Sequence, residues 1–593
     1  MDMPINQITS DSIFIDVEHH FRIAAGPGAG KTHWLVEHIK NVLHNSDRLA
    51  KTRKIACITY TNIAVETILK RLGTSADQVE VSTIHSFLYK HIIKPYASFI
   101  ATEYNLNVAK LDGHDEHFVS HKKVLKWVET HPKSSQLRHP YTVNQLTKLE
   151  NNKKALISWL GSLSYEINTT GKIGITSDRS KAFYIDSKRM YLNKNCLDIL
   201  ETDFLMYKKL YWSEGTLHHE DVLFFSYVII QEHPFVLDVL RAKFPYFFVD
   251  EFQDSNPIQV ALLKAIGQKE TIIGIIGDKA QSIYGFQGAD PSQFHSFSLP
   301  KMQNYVMSDN RRSSIEIIDI LNGLRTDITQ VPFRNFVGLK PMIFVGEMSA
   351  ALIKTKSICG AETVHSLSRD NITSNAMKRE IGAMTLNGRL FEELQTVDSN
   401  KERQILIIAC IKAVELAREK KFRDAIKELE RIFQYKNDKQ KGKRMALLHI
   451  STLLKKFEEF KNGSLFDFSA FVKNEIKSGI AKVSGGAIKI FYDSHSYQEL
   501  ALCVKVPEDM SQHKTIHKAK GDEFDNVMLV LKDEKDLEFI LHPNINVNSN
   551  AGEEQRINYV AVSRAKNRLF ISVPTLKAIS KTSLQAQFQI EMV

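Results

Sequence analysis

Cysteine is scarce and scattered in this 593-residue chain: Cys57, Cys196, Cys359, Cys410 and Cys503, none of them in a Cys-x-x-Cys pair. Such a set suits reduced thiols and excludes zinc-ribbon and iron–sulfur sites built on paired cysteines. Glycine (27) and proline (15) are sparse too, which excludes collagen-like and low-complexity linker proteins. No apolar run approaches the length of a bilayer; stretches such as Thr271 to Gly277 are strand-sized. The opening Met1-Asp2-Met3-Pro4 lacks the basic-then-apolar pattern of an export signal. A soluble, cytoplasmic chain without membrane contact is the expectation. Neither charge sign dominates: 78 Lys and Arg against 68 Asp and Glu leave +10, an excess compatible with a polyanion partner without demonstrating one. No fixed-period repeat is present. What remains is an ordinary globular composition, 43% apolar and 25% charged, in a chain long enough for roughly three to five domains.

A short apolar strand, Phe21 to Ala24, runs into Ala25-Gly26-Pro27-Gly28-Ala29-Gly30-Lys31-Thr32. A helical pattern follows, with Leu35, Ile39, Val42 and Leu43 on one face. Strand, glycine-rich turn, Lys-Thr and helix make a phosphate-binding loop. Its backbone N–H groups close around a phosphate, Lys31 neutralises charge, Thr32 offers a hydroxyl to Mg²⁺, and the helix N-terminus adds a positive dipole end. Ala25 stands where the general pattern has glycine. A second strand, Tyr246 to Val249, ends in Asp250-Glu251-Phe252-Gln253-Asp254. Acidic residues at the C-terminal edge of a parallel strand lie beside such a loop. Asp250 is then the expected Mg²⁺ partner, and Glu251 the group that orients and deprotonates water. Together the two motifs predict nucleotide hydrolysis.

Lys31 and Asp250 lie too far apart in sequence for a compact nucleotide-binding unit, so a segment is inserted between their strands. Helical patterns dominate from about His85 to Glu220, and again between roughly 375 and 500, while strand signals return at Asn526 to Leu531 and Leu569 to Val573. The expected architecture is α/β: two lobes with parallel sheets, each interrupted by a mostly helical insertion. The expected boundaries are 1–85 with 218–300 for the first lobe and 86–217 for its insertion. They are 301–375 with 501–593 for the second lobe and 376–500 for its insertion. The Lys-, Arg- and Glu-rich stretch from Lys401 to Lys461 reads as a solvated face, with duplex contact as the alternative.

Eight ordered segments resemble those of the UvrD/Rep-like superfamily 1A DNA helicases. The phosphate loop, Ala25 included, looks like the family's first motif. Ile58-Thr59-Tyr60-Thr61-Asn62 and Thr83-Ile84-His85-Ser86-Phe87 are similar to its single-strand-binding segments. Asp250 to Asn256 resembles its acidic motif, and Gly277 to Ala289 the third. Asn310-Arg311-Arg312-Ser313, His517 to Phe524 and Tyr559 to Lys566 resemble the fourth, fifth and sixth.

The resemblance implies two RecA-like lobes, ATP with Mg²⁺, and 3′→5′ movement on single-stranded or 3′-tailed DNA. It also implies roles. Gln281 would sense the γ-phosphate, Arg312 and Arg564 would be arginine fingers at a nucleotide site between the lobes, and Glu523 would bind ribose. Tyr60 and Phe286 would stack on bases, with Thr61, Asn62, His85 and His517 beside the strand. The bland readings are a core place for Phe286 and structural roles for His85 and His517.

Several positions depart from the family. Gln7 is poorly placed as an adenine reader, and Arg311 stands where the family has a base-stacking Tyr. A guanidinium plane can take that part. Gln287 replaces an Arg, Ile63 a Lys and Asp522 a Leu; the first two changes remove cations near the expected strand path. The second insertion is short for the family. Two functions therefore stand side by side: an ATP-driven DNA helicase, or a nucleotide-gated DNA-sensing regulator with little unwinding. Fewer than twenty residues follow Pro574-Thr575, too few for a fused nuclease. The resemblance thus extends to the helicase subunit of Gabija-type anti-phage systems, which would pair with a separate nuclease. DNA repair is the rival setting.

Overall fold

The structure, a computed structural model, describes residues 5–49, 52–137, 150–185, 188–189, 192–381, 386–433, 438–507, 511–545 and 552–593. These divide into two compact units, one ending at Asp309 and one beginning at Asn310.

Seven parallel strands build the first sheet: β1 (Ile5–Ile8), β2 (Phe21–Ala25), β3 (Ile55–Thr59), β4 (Val79–Thr83), β5 (Tyr246–Val249), β6 (Ile272–Gly277) and β7 (Gln303–Met307). Their spatial order is β1-β7-β2-β6-β5-β3-β4. β3, β5 and β6 are buried at every position, the pattern of strands covered on both faces. Alternate residues divide between the faces. Tyr246 and Phe248 join Phe21, Trp34, Leu35 and Ile39 on one side, while Phe247 and Val249 join Ile273 and Ile275 on the other. Glycine is needed at 274, because a Cβ there would stand 2.1 Å from the Phe21 ring.

The insertion after β4 is mostly helical, with helices that include His121–Thr130, Glu150–Gly161 and Phe204–Trp212. It also holds two antiparallel hairpins, Ser164–Ile167 with Ile173–Thr176 and Tyr184–Ile185 with Lys188–Arg189. Trp127, Trp159 and Trp212 belong to the same apolar cluster as Phe247 and Ile273, so the insertion shares its core with the sheet.

In the second unit six parallel strands, β8 (Met342–Val345), β9 (Val364–Ser368), β10 (His513–Thr515), β11 (Phe524–Val530), β12 (Ala565–Val573) and β13 (Gln589–Met592), lie in the order β10-β9-β11-β12-β8-β13. The α/β class with two parallel sheets and helical insertions is therefore the observed one. The second insertion packs around its own core, which includes Leu406, Ile411, Leu453, Phe468 and Tyr497.

Particular boundaries move. The expected division at 300 leaves β7 on the wrong side, since it pairs with β1 and β2 of the first sheet. Those at 375 and 500 cut the helices Asn371–Lys378 and Tyr497–Leu502, because a shift in composition does not respect a helix end. The stretch from Lys401 is not a solvated face throughout. The helix Lys401–Arg418 buries most of its length, including Arg403, Leu406, Ile411 and Val414. Residues 434–437 of that stretch lie outside the described residues. Among the described residues no single helix is long and apolar enough to cross a membrane.

Candidate functional site

β2 ends at Ala25, and the helix α1 (Lys31–Asn45) begins six residues later. The turn between them needs left-handed backbone at Gly28 (φ 73°) and at Gly30 (φ 83°), which caps α1. A Cβ on Gly30 would also come within 2.7 Å of Ser10 Cβ, so the loop is closed by contact as well as by torsion. Ala25 and Ala29 are buried beneath it. The Lys31 ammonium donates to the carbonyls of Ala25 (3.4 Å) and Gly26 (3.3 Å), folded back on its own loop.

Thr32 Oγ1 donates to Asp250 Oδ2 at 3.2 Å, which brings the two sequence-predicted metal partners together across the sheet. Burial pushes the Asp250 carboxyl up to about 7. The Glu251 charge adds to this, while Lys31 and the hydrogen bonds from Glu251 N and Thr32 oppose it. Glu251 adopts left-handed backbone (φ 53°), a conformation costing a non-glycine residue about 1 kcal/mol, and this turns it off the end of β5. A hydroxyl beside a buried carboxylate, below a glycine-lined loop, is an oxygen donor set that fits Mg²⁺ bound together with phosphate. Among the described residues no group of three or more His, Cys, Asp or Glu could hold a metal without such help.

A hydrogen-bond chain continues from there. Gln253 Nε2 donates to Glu251, Asp278 N donates to Gln253 Oε1 (3.0 Å), and Gln281 Nε2 donates to Asp278 Oδ2 (2.7 Å). Ser282 Oγ donates to the Gln253 carbonyl at 3.0 Å. The fully buried Gln253 therefore ties the end of β5 to the segment after β6. In the sequence this residue stands inside the acidic motif with no sign of that tie, since its partner Asp278 belongs to a distant segment.

Three residues beyond Gln281 the same segment reaches an aromatic ladder. Tyr60, directly after β3, stacks on Tyr284 (4.5 Å between centroids, 25° between planes), and Tyr284 lies 5.9 Å from Phe286. Phe286 is 68% exposed, which rules out the core reading. Tyr60 and Phe286 are thus brought together through Tyr284, which sequence reasoning missed although it lies within the quoted third motif. The Tyr60 hydroxyl donates to Gln287. Thr61 accepts from Ala64 N as the cap of the helix that Asn62 opens, and Ile63 is 67% exposed beside it. His85 lies 5.7 Å from His219 and 6.1 Å from His114, ring to ring. Its Nε2 is buried without a hydrogen bond, and burial, then the two histidines, hold the ring's pKa down to about 3.

In the second unit Arg311 lies over the Phe333 ring at 3.8 Å. Arg312 donates to the Ser563 carbonyl (2.7 Å) and pairs with Glu523, so two residues expected to serve separate nucleotide groups hold each other. Burial alone would raise the Glu523 carboxyl, but Arg312 and then Lys566 bring it below its ordinary value. Arg564 is 2% exposed and donates to Val560 O (3.2 Å), Ser563 Oγ (2.9 Å) and Asp522 O (3.3 Å). His517 sits half-buried in the turn between β10 and β11.

Two parallel α/β units, the first with a phosphate loop facing an acidic strand end, define a P-loop nucleotide-binding protein. The UvrD/REP helicase N-terminal domain matches residues 6–301, and the UvrD-like helicase C-terminal domain matches residues 301–575. The chain belongs to the UvrD/Rep-like helicase family. Among curated relatives, Gabija protein GajB of Bacillus cereus (strain HuB5-5) is 24% identical over 339 residues, 53% of this chain and 48% of that protein. ATP-dependent DNA helicase PcrA of Staphylococcus aureus (strain Mu50) is 27% identical over 306 residues, 51% of this chain and 37% of PcrA. PcrA of Staphylococcus epidermidis is 26% identical over the same length. The matched region thus spans about half of GajB and little more than a third of PcrA.

Proposed function

We propose that this chain is an ATP-dependent DNA helicase that moves 3′→5′ on single-stranded or 3′-tailed DNA. The observation that carries the reading is the segment from Asp278 to Phe286. One end is hydrogen-bonded to the acidic strand end through Gln253, and the other forms the ladder with Tyr60. A change at the carboxylates therefore has a short, buried path to the rings that would stack on bases.

In this reading the loop from Ala25 to Thr32 holds the ATP phosphates, and Lys31 leaves the Ala25 and Gly26 carbonyls to neutralise them. Thr32 and Asp250 would hold Mg²⁺, which when bound would neutralise phosphate charge. Glu251 orients a water and takes its proton as the water oxygen bonds to the γ-phosphorus and the bond to the ADP oxygen breaks. Arg312 and Arg564 supply guanidinium charge to the transferring phosphoryl group, Gln281 reports its presence, and Glu523 and Arg311 contact ribose and base. Thr61, Asn62, His85 and His517 line the strand. The proposed divisions are a first lobe with an insertion at about 86–217 and a second lobe whose insertion begins after the helix Asn371–Lys378 and runs through the helix Tyr497–Leu502.

A second reading is a nucleotide-gated DNA sensor that regulates a separate nuclease in anti-phage defence; the similarity to a Gabija protein supports this setting. The uncharged Gln287 tied to Tyr60, and the exposed Ile63, favour it through the loss of two cations. Strand displacement on a 3′-tailed duplex, with wild-type and Glu251→Gln protein, separates the two. The helicase reading expects ATP-dependent displacement by wild-type protein alone. DNA-stimulated hydrolysis without displacement overturns it in favour of the sensor. Co-purification of a chromosomally tagged copy with a nuclease tests the defence setting against repair.

A further inference from the structure

Part of the first unit's surface is left without a role by the nucleotide loop and the aromatic ladder. Tyr96 stacks on Phe99 (6.1 Å, 22°), and Phe235 closes the corner edge-on to both (5.8 Å and 5.9 Å). His233 packs on Phe99 at 5.0 Å. Tyr96 packs inward against the core of the unit, but the outer rings stand open: Phe99 is 54% exposed and Phe235 46%. One helical turn beyond Phe235, on the helix Phe235–Lys243, Val239 is 45% exposed on the same face. A contiguous apolar patch of this kind marks an interaction site on a soluble domain.

Two exposed carboxylates edge this patch: Glu103 follows Phe99 by one helical turn and Glu232 directly precedes His233, while the Lys209 ammonium is engaged by the Glu103 backbone carbonyl (2.8 Å). Glu103 and Glu232 stand close enough to repel, and burial followed by Glu103 raises the Glu232 carboxyl. The same pair, after burial, pushes the Tyr104 hydroxyl up to about 12. Among the described residues neither carboxylate has an ion-pair partner, whereas the neighbouring Asp238 is held by Arg241 (2.9 Å) and Lys269 (3.2 Å).

We propose that the corner formed by Tyr96, Phe99, Phe235 and Val239, with Glu103 and Glu232 at its edge, docks a basic amphipathic helix of a partner protein. Phe235 and Val239, one turn apart, present a ridge that fits between apolar residues at i and i+4 of a second helix. Lysine or arginine on that helix would relieve the repulsion between the two carboxylates. The inference is independent of the helicase reading, since the surface uses none of the nucleotide or strand residues.

The test uses the full chain and a labelled synthetic helix built only from Leu and Lys at i, i+3, i+4 spacing, read by fluorescence anisotropy. Saturable binding is expected, together with none by the same helix carrying Glu for Lys. Glu103→Lys with Glu232→Lys, and separately Phe99→Ser with Phe235→Ser, should each weaken binding about tenfold or more. The charge pair changes exposed side chains only, so it decides the matter should the serine variant melt early. Absence of saturable binding, or equal affinity for the charge-reversed chain, overturns the proposal. Self-association of wild-type chain in sedimentation, lost in the same variants, also overturns it by assigning the surface to a second copy.

Discussion

Lys31 is held by two carbonyls of its own loop, so its ammonium has a place without nucleotide and a better one with it. Lys31→Ala should abolish hydrolysis, measured as phosphate release, while single-strand binding persists; unchanged turnover would remove the loop from the mechanism. Glu220 shows the cost of a buried acid. Burial, then the Asp221 charge, raises its carboxyl to about 7. Between the ordinary carboxylate value and about 7 the folded protein keeps a proton that the unfolded chain has lost. Stability therefore falls as pH rises through that window, by at most about 3 kcal/mol. Glu220→Gln should raise the melting temperature at pH 8 and leave it nearly unchanged at pH 4; an equal shift at both would exclude this titration. Its neighbour Asp221 behaves oppositely. Burial would raise it, but Lys208 at 2.7 Å and His218 hold it well below the carboxylate range. The catalytic candidates on the first unit were legible at this scale because loop and acidic motifs are local in sequence. Gln253 and Tyr284 were not, because their partners Asp278 and Tyr60 lie just beyond the ends of other strands.

At the scale of elements, strand β6 is placed by what it lacks. Gly274 pairs with Phe21 of β2 and Phe248 of β5, and the Phe21 ring occupies the space a side chain would need. Gly274→Ala should destabilise the first unit by roughly 1–3 kcal/mol, the usual cost of overpacking, read as a lower denaturation midpoint. The segment that leaves β6 carries the functional coupling. Phe286→Ala should reduce movement along DNA more than it reduces DNA-independent hydrolysis, because its ring is exposed and adjoins the ladder at Tyr284. Equal loss of both activities would point to a structural role. Strands such as Tyr246–Val249 were readable from their apolar runs, since burial on both faces leaves no polar position. Helix ends near 375 and 500 were not, because capping and packing decide them rather than composition.

For the molecule as a whole, the proposal makes hydrolysis on the first unit depend on residues of the second. Arg564 is almost wholly enclosed by Val560, Ser563 and Asp522. Arg564→Ala should leave nucleotide binding measurable while slowing turnover on the order of 10³-fold, as loss of an arginine finger does. A turnover within a few-fold of wild type would show that hydrolysis needs the first unit alone.

What the sequence by itself determined is the chemistry carried by contiguous motifs: the phosphate loop, the acidic strand end and the ordered segments shared with the UvrD/Rep-like family. These are set within a few residues, where glycine torsion, strand burial and side-chain type act locally. Tertiary structure alone decided which of those residues meet. Thr32 reaches Asp250, Arg312 holds Glu523, and Tyr60 reaches Phe286 through Tyr284 because parallel strands place the ends of distant segments side by side. The aromatic corner at Phe99 and Phe235 likewise exists only after folding, when two segments far apart in sequence leave their rings together at the surface.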